Sequence, residues 1–134
     1  MGSELIKHDI GIGKTVSGKF EDVIARTEAS LKGQGFGVLT RIDVKATMKE
    51  KLDVDVEQNV ILGACNPSIA HKALTIEPRI GLLLPCNVVV RQEGNAVRVE
   101  AIEPYAMVAM FPDKDLNAVA AEASDKLRRA IEAI

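Results

Sequence analysis

Apolar residues along this chain recur with two periods, and the change from one to the other marks out the elements. Residues 6–16 mix apolar and polar positions and predict a first strand, weakened or bulged at Gly11 and Gly13. Ser17-Gly18 breaks it, with Gly18 as the expected N-cap and Glu21-Asp22 placed at the positive end of a helix dipole. Over 19–32 the period becomes helical: Phe20, Val23, Ile24, Thr27 and Leu31 form one face, and Gly33-Gln34-Gly35 supplies the stop. Residues 36–44 alternate as a strand, and 45–52 predict a short charged surface helix.

A second strand is expected over 54–65, clearest at Val60-Ile61-Leu62, where continuous apolar character suggests burial on both faces. Asn66-Pro67 is a helix start, since Asn caps and Pro suits the first turn. Ala70, Ala73 and Leu74 are assigned to its core side, and Pro78 ends it. Residues 82–91 form the most hydrophobic strand, interrupted by Pro85. A turn at 92–95 leads into the clean alternation of 96–102, making an antiparallel hairpin. Residues 105–111 fit a short helix or a strand, with Met107, Met110 and Phe111 read as core filler. The last helix, capped at Asp113 or Asp115, carries a stripe from Leu116 to Ile134 and expected surface pairs Glu122 to Lys126 and Asp125 to Arg129. Strand, helix, several strands, helix predicts an α+β two-layer fold: one antiparallel sheet with helices packed on one face, as a single domain over 1–134.

Composition narrows the function classes. Of 134 residues, 47% are hydrophobic, so a good core can form without staples. Only three Phe, one Tyr and no Trp leave no stacking platform for bases, and the net charge of −2 argues against a nucleic-acid partner. No basic segment followed by an apolar one opens the chain, Lys7 stands where an acylation motif needs Ser or Thr, and no apolar run nears membrane-spanning length. A cytoplasmic protein without a membrane partner is expected, with its two cysteines reduced.

The candidate chemistry sits in the middle of the chain. Cys65-Asn66 and Cys86-Asn87 each end or begin an apolar run, a proline touches each pair, and His71 lies between them. Cys65 just precedes a helix N-terminus, which favours anions and can lower a thiol pKa. His71 leans toward that turn if it is helical. The candidate ligand-binding set is therefore Cys65, Asn66, His71, Cys86 and Asn87. The same residues also fit plain packing: Cys as small buried hydrophobes, Asn66 as a cap, His71 on the surface. Neither a CxxC nor an HxxxH spacing is present, so no metal is assigned; no triad supports a catalytic assignment, no cofactor is indicated, and Gly11-Ile12-Gly13-Lys14-Thr15 lacks the spacing of a P-loop. Three readings stay open: a small-molecule-binding module around the two Cys-Asn pairs, a thiol-dependent redox or transfer enzyme using Cys65 or Cys86, and a structural dimerisation module. In each, Cys65 and Cys86 are expected to share one region unbridged.

The stretches Ile61-Leu62-Gly63-Ala64-Cys65-Asn66-Pro67 and Ile80-Gly81-Leu82-Leu83-Leu84-Pro85-Cys86-Asn87-Val88-Val89-Val90 resemble a bacterial and archaeal family, the "domain of unknown function 302" family. Gly35-Phe36-Gly37-Val38-Leu39-Thr40 and Ile42-Asp43-Val44-Lys45-Ala46-Thr47 match it too. The resemblance runs from about Val16 to Leu127. It implies a small α+β fold similar to the TATA-box-binding-protein-like superfold, and a homodimer, with the interface expected at residues 105–111 or at a sheet edge. It implies no reaction, and fold likeness alone does not imply DNA binding.

Overall fold

The computed structural model describes residues 5–7 and 10–134. The sequence features at residues 1–4 lie outside them. The strands are β1 (Ile6–Lys7), β2 (Gly11–Val16), β3 (Gly37–Asp43), β4 (Asn59–Cys65), β5 (Cys86–Glu93) and β6 (Ala96–Ile102). They form one sheet in the order β1-β2-β6-β5-β4-β3, every neighbouring pair antiparallel. The helices are α1 (Phe20–Gly33), α2 (Val44–Leu52), α3 (Pro67–Ile76), α4 (Pro104–Val108) and α5 (Lys114–Glu132). The expected two-layer α+β architecture is the one observed.

Alternation decides which sheet face is covered. Ile12, Val16, Val97, Val99, Ala101, Val88, Val90, Val60, Leu62 and Ala64 are all buried and point to one side. There they meet Phe20, Val23, Ile24 and Leu31 of α1 and Leu127, Ala130 and Ile131 of α5. The opposite face carries the other set of positions. On it Arg91 pairs with Glu100 at 2.7 Å and with Glu93 at 3.0 Å.

One inner position is charged. Lys14 lies between Ile12 and Val16 and is only 7% exposed. Its Nζ donates to the carbonyls of Glu132 at 2.7 Å and Ile134 at 2.9 Å. Those carbonyls lie at and just beyond the C-terminal end of α5, where acceptors lack helical partners and the dipole is negative, so the cation is satisfied where it is buried.

Helix ends follow the predicted chemistry with local changes. α1 ends in a Schellman arrangement: Gly35, at φ +85°, donates to Lys32, and Phe36 donates to Leu31. Its N-cap is Lys19, one residue after the expected Gly18, with no side-chain cap. Asp113, not Asp115, caps α5 by accepting from the amides of Asp115 and Leu116. Glu122 bonds Lys72 on α3 at 3.1 Å instead of Lys126, because a tertiary neighbour replaces the expected pair within the helix; Asp125 and Arg129 pair at 2.9 Å as expected.

Four expectations fail for identifiable reasons. The single strand over 6–16 is two, with Ile6 opposite Gly13 and Lys7 opposite Ile12. The strand over 54–65 begins only at Asn59, since Asp53 at φ +54° and the acidic residues after it follow the end of α2 and find no ladder. Residues 82–85 do not extend β5: Pro78–Leu83 winds as a 3₁₀ segment, and the strand starts at Cys86, past Pro85. Finally, Leu74 is substantially exposed, Ile69 and Ala73 being the buried residues of α3.

Candidate functional site

β4 and β5 end beside one another. Ala64 is the register partner of Cys86, so the chain leaves the sheet at Cys65 and returns to it at Cys86 next door. Between these points α3 and the 3₁₀ segment pass over the same end of the domain. Asn66 sets the departure: its Oδ1 accepts from the Ile69 amide and its Nδ2 donates to the Gln34 carbonyl, each at 3.3 Å. That second bond ties the start of α3 to the end of α1, where a side chain at Gly35 would run into Asn66. Gly63 allows a similar approach, since a Cβ there would collide with Thr40 and with the ring of Pro85.

The result is an apolar cavity of about 50 Å³ between the sheet end and α3, α4 and α5. Cys65, Asn66 and Cys86 line it. Phe36, Ile69, Ile80 and Leu116 supply much of the wall, and small residues such as Ala73 and Ala120 leave the space open. By the same measure one water needs roughly 10–15 Å³, while drug-sized ligands take about 300 Å³ or more. The cavity therefore admits a compact guest without rearrangement, and its apolar walls offer little to water.

The structure brings together three of the five candidate residues. Cys65 and Cys86 are both half-buried, unbridged and in one cavity. His71 is exposed on α3 and faces a groove with Lys72, Thr75 and Asp115. Its lean toward the helix start does not carry it to Cys65. Asn87 is exposed too: opposite Gly63, one residue on from the inward Cys86, it takes the other sheet face.

One contributor escaped the sequence reading. Met107, assigned to core filling, is 8% exposed and lines the cavity with its Sδ 3.8 Å from Cys86 Sγ. Glu103 and Pro104 are the signal that would have placed it: an acidic cap and a proline at the first turn start α4 there, with Glu103 accepting from the Tyr105 amide. The same turn leaves Met110 74% exposed, so the Met-Phe stripe is split and not core throughout.

Burial pushes the Cys86 thiol up to about 11, with Cys65 adding to the effect. At neutral pH the Cys86 thiol stays protonated. That is poor material for a nucleophile. Among the described residues no group of three His, Cys, Asp or Glu side chains is arranged to hold a metal. No helix among them is long and apolar enough to cross a membrane.

A family model described as "Domain of unknown function DUF302" matches residues 12–134. The chain is also similar to a solved structure, an uncharacterized conserved protein DUF302 from Bacillus stearothermophilus. Identity is 32%, coverage is 92% of this chain and 98% of that one, and the TM-score is 0.86. No curated protein matches.

The raised Cys86 value predicts a stability change at alkaline pH. The unfolded thiol loses its proton near pH 9, while the folded one keeps it until about 11. Above the unfolded value the unfolded state binds fewer protons, so stability falls as pH rises through this window, by up to about 2–3 kcal/mol. Denaturant melts from pH 8 to 11 on the wild type and on Cys86→Ala should show this extra loss in the wild type alone.

Proposed function

The chain belongs to the DUF302 family, whose name records no reaction, and we propose from its cavity that it is a ligand-binding module. The site is the apolar space lined by Cys65, Asn66, Cys86 and Met107. The observation that carries this is the convergence of both cysteines on one cavity from two strands and two connecting helices. A thiol-transfer enzyme fits less well, because burial holds Cys86 protonated and His71, which could have served a thiol as a base, faces elsewhere. Asn66 is already bonded to two backbone groups. The cavity thus presents sulfur and hydrocarbon and little free hydrogen-bonding capacity.

Filling the cavity separates binding from packing. Ala120→Leu places extra methyl groups in the space Ala120 leaves open. In native mass spectra and xenon-pressure NMR, the wild type should show a retained or added guest and the variant should lose it, with the fold kept. A wild type that takes up nothing, and that Ala120→Leu merely stabilises, would make the cavity a packing defect.

Self-association has its own support. Tyr105, Met110 and Leu82 are exposed apolar residues on α4, the turn after it and the neighbouring 3₁₀ segment. On α4 and its turn they fall within the stretch expected to pair two copies. Of the two expected interfaces this one is favoured over the β3 edge, where a register shift between Val38 and Thr40 disturbs strand pairing. Sedimentation at micromolar concentration should find a homodimer that Met110→Lys converts to monomer. A dimer indifferent to that change would move the interface elsewhere.

A further inference from the structure

What enters the cavity is limited first by hydrogen bonding. Cys86 Sγ donates to Met107 Sδ at 3.8 Å, and both ends of the Asn66 amide are bonded to backbone. Most of the remaining wall is hydrocarbon, supplied by residues such as Ile69, Ile80 and Leu116. A hydroxyl, an amide or a charge brought inside would find no partner there, so the part of a guest that enters is hydrocarbon. Size limits it next. The cavity of about 50 Å³ holds roughly three to five carbon-sized groups, at ~10–15 Å³ for each. Each methylene taken out of water tightens binding about fourfold, so about four of them hold a guest only in roughly the millimolar range. Firmer retention needs a second anchor outside the cavity.

That anchor lies beside the start of α3. Of the cavity's walls, Asn66 and Ala70 are partly exposed, so the space reaches the surface there. Pro67, next in the chain, already belongs to a surface groove lined by Glu28, Lys32 and Val38, and Phe36 is a wall of both. Glu28 lies 3.9 Å from the Arg41 guanidinium. Lys32 is exposed and has no ion-pair partner among the described residues. The positive end of α3 opens on the same groove at Pro67. This groove thus keeps uncompensated positive charge. The groove that meets the cavity at Val119 does not, since its Lys72 is bonded to Glu122 at 3.1 Å and Asp115 adds negative charge.

Resting on the ligand-binding reading above, we propose that the site takes an alkyl carboxylate, with its hydrocarbon end in the cavity and its carboxylate at Lys32. The apolar end supplies the fit and the charged end supplies the anchor. No covalent bond forms or breaks.

The test is a methyl NMR titration of the full chain with linear carboxylates from butanoate to decanoate, and with 1-alcohols of matched length up to octanol. Shifts are expected at the Met107 and Ala120 methyls, with affinity rising about fourfold per methylene and levelling once the cavity is full. Each carboxylate should bind more tightly than its matched alcohol. Lys32→Glu, a change on the surface, should weaken the carboxylates by about three- to tenfold and leave the alcohols unchanged. Ala120→Leu should flatten the dependence on chain length; circular dichroism reports its folding, and if it fails to fold the Lys32→Glu result decides. Equal binding of acids and alcohols, carboxylate affinity untouched by Lys32→Glu, or carboxylates that shift neither methyl would each overturn the proposal. If xenon or the alcohols still occupy the cavity in that case, the ligand-binding reading survives and only the carboxylate falls; if the cavity takes up nothing, both fall.

Discussion

The site depends on the register between β4 and β5. Ala64 stands opposite Cys86, so two cysteines separated by twenty residues of intervening chain finish and begin adjacent strands. A slip of one residue would send Cys86 to the uncovered face and Asn87 into the core side. The register is held because Val60, Leu62 and Ala64 on one strand and Val88 and Val90 on the other must all bury together under α1 and α5. The core thus fixes the chemistry of the cavity without contributing a functional group of its own. Asn66 adds the second constraint, binding the start of α3 to the end of α1 so that the helix lies across the strand ends.

Much of the fold was legible because its elements carry strong local signals. The face of α1 made by Phe20, Val23, Ile24, Thr27 and Leu31 is the buried one, and Asn66-Pro67 starts α3 as its capping chemistry requires. What failed was tertiary. Leu82 and Leu83 are as apolar as a strand interior, but Pro78 and Pro85 bracket them and the chain winds into a 3₁₀ segment instead. Apolar character says that a segment prefers burial; it does not say in which backbone form.

The candidate site was half legible for a related reason. That Cys65 and Cys86 share a region followed from two strands joined by a short helical return. The separation of His71 and Asn87 did not follow, because it depends on helix phase and strand alternation at single-residue precision. Asn87 is displaced by one residue from a cavity-lining position, and that suffices to place it on the other side of the sheet. Met107 was legible as buried and not as a cavity group, since its partner Cys86 is distant in sequence. Burial then sets the character of the sulfurs: the environment that hides Cys86 holds its proton and makes it a poor nucleophile.

The geometry stands or falls on Met107 meeting Cys86 at the end of the sheet. NOE spectra of protein labelled with ¹³C at the methionine methyls test it directly. The Met107 methyl should show cross-peaks to the β-protons of Cys86 and to the methyl groups of alanines that line the cavity, such as Ala120. A Met107 methyl that contacts neither, with mobility like that of exposed Met110, would mean that α4 does not close over the strand ends and that no sulfur-lined cavity exists.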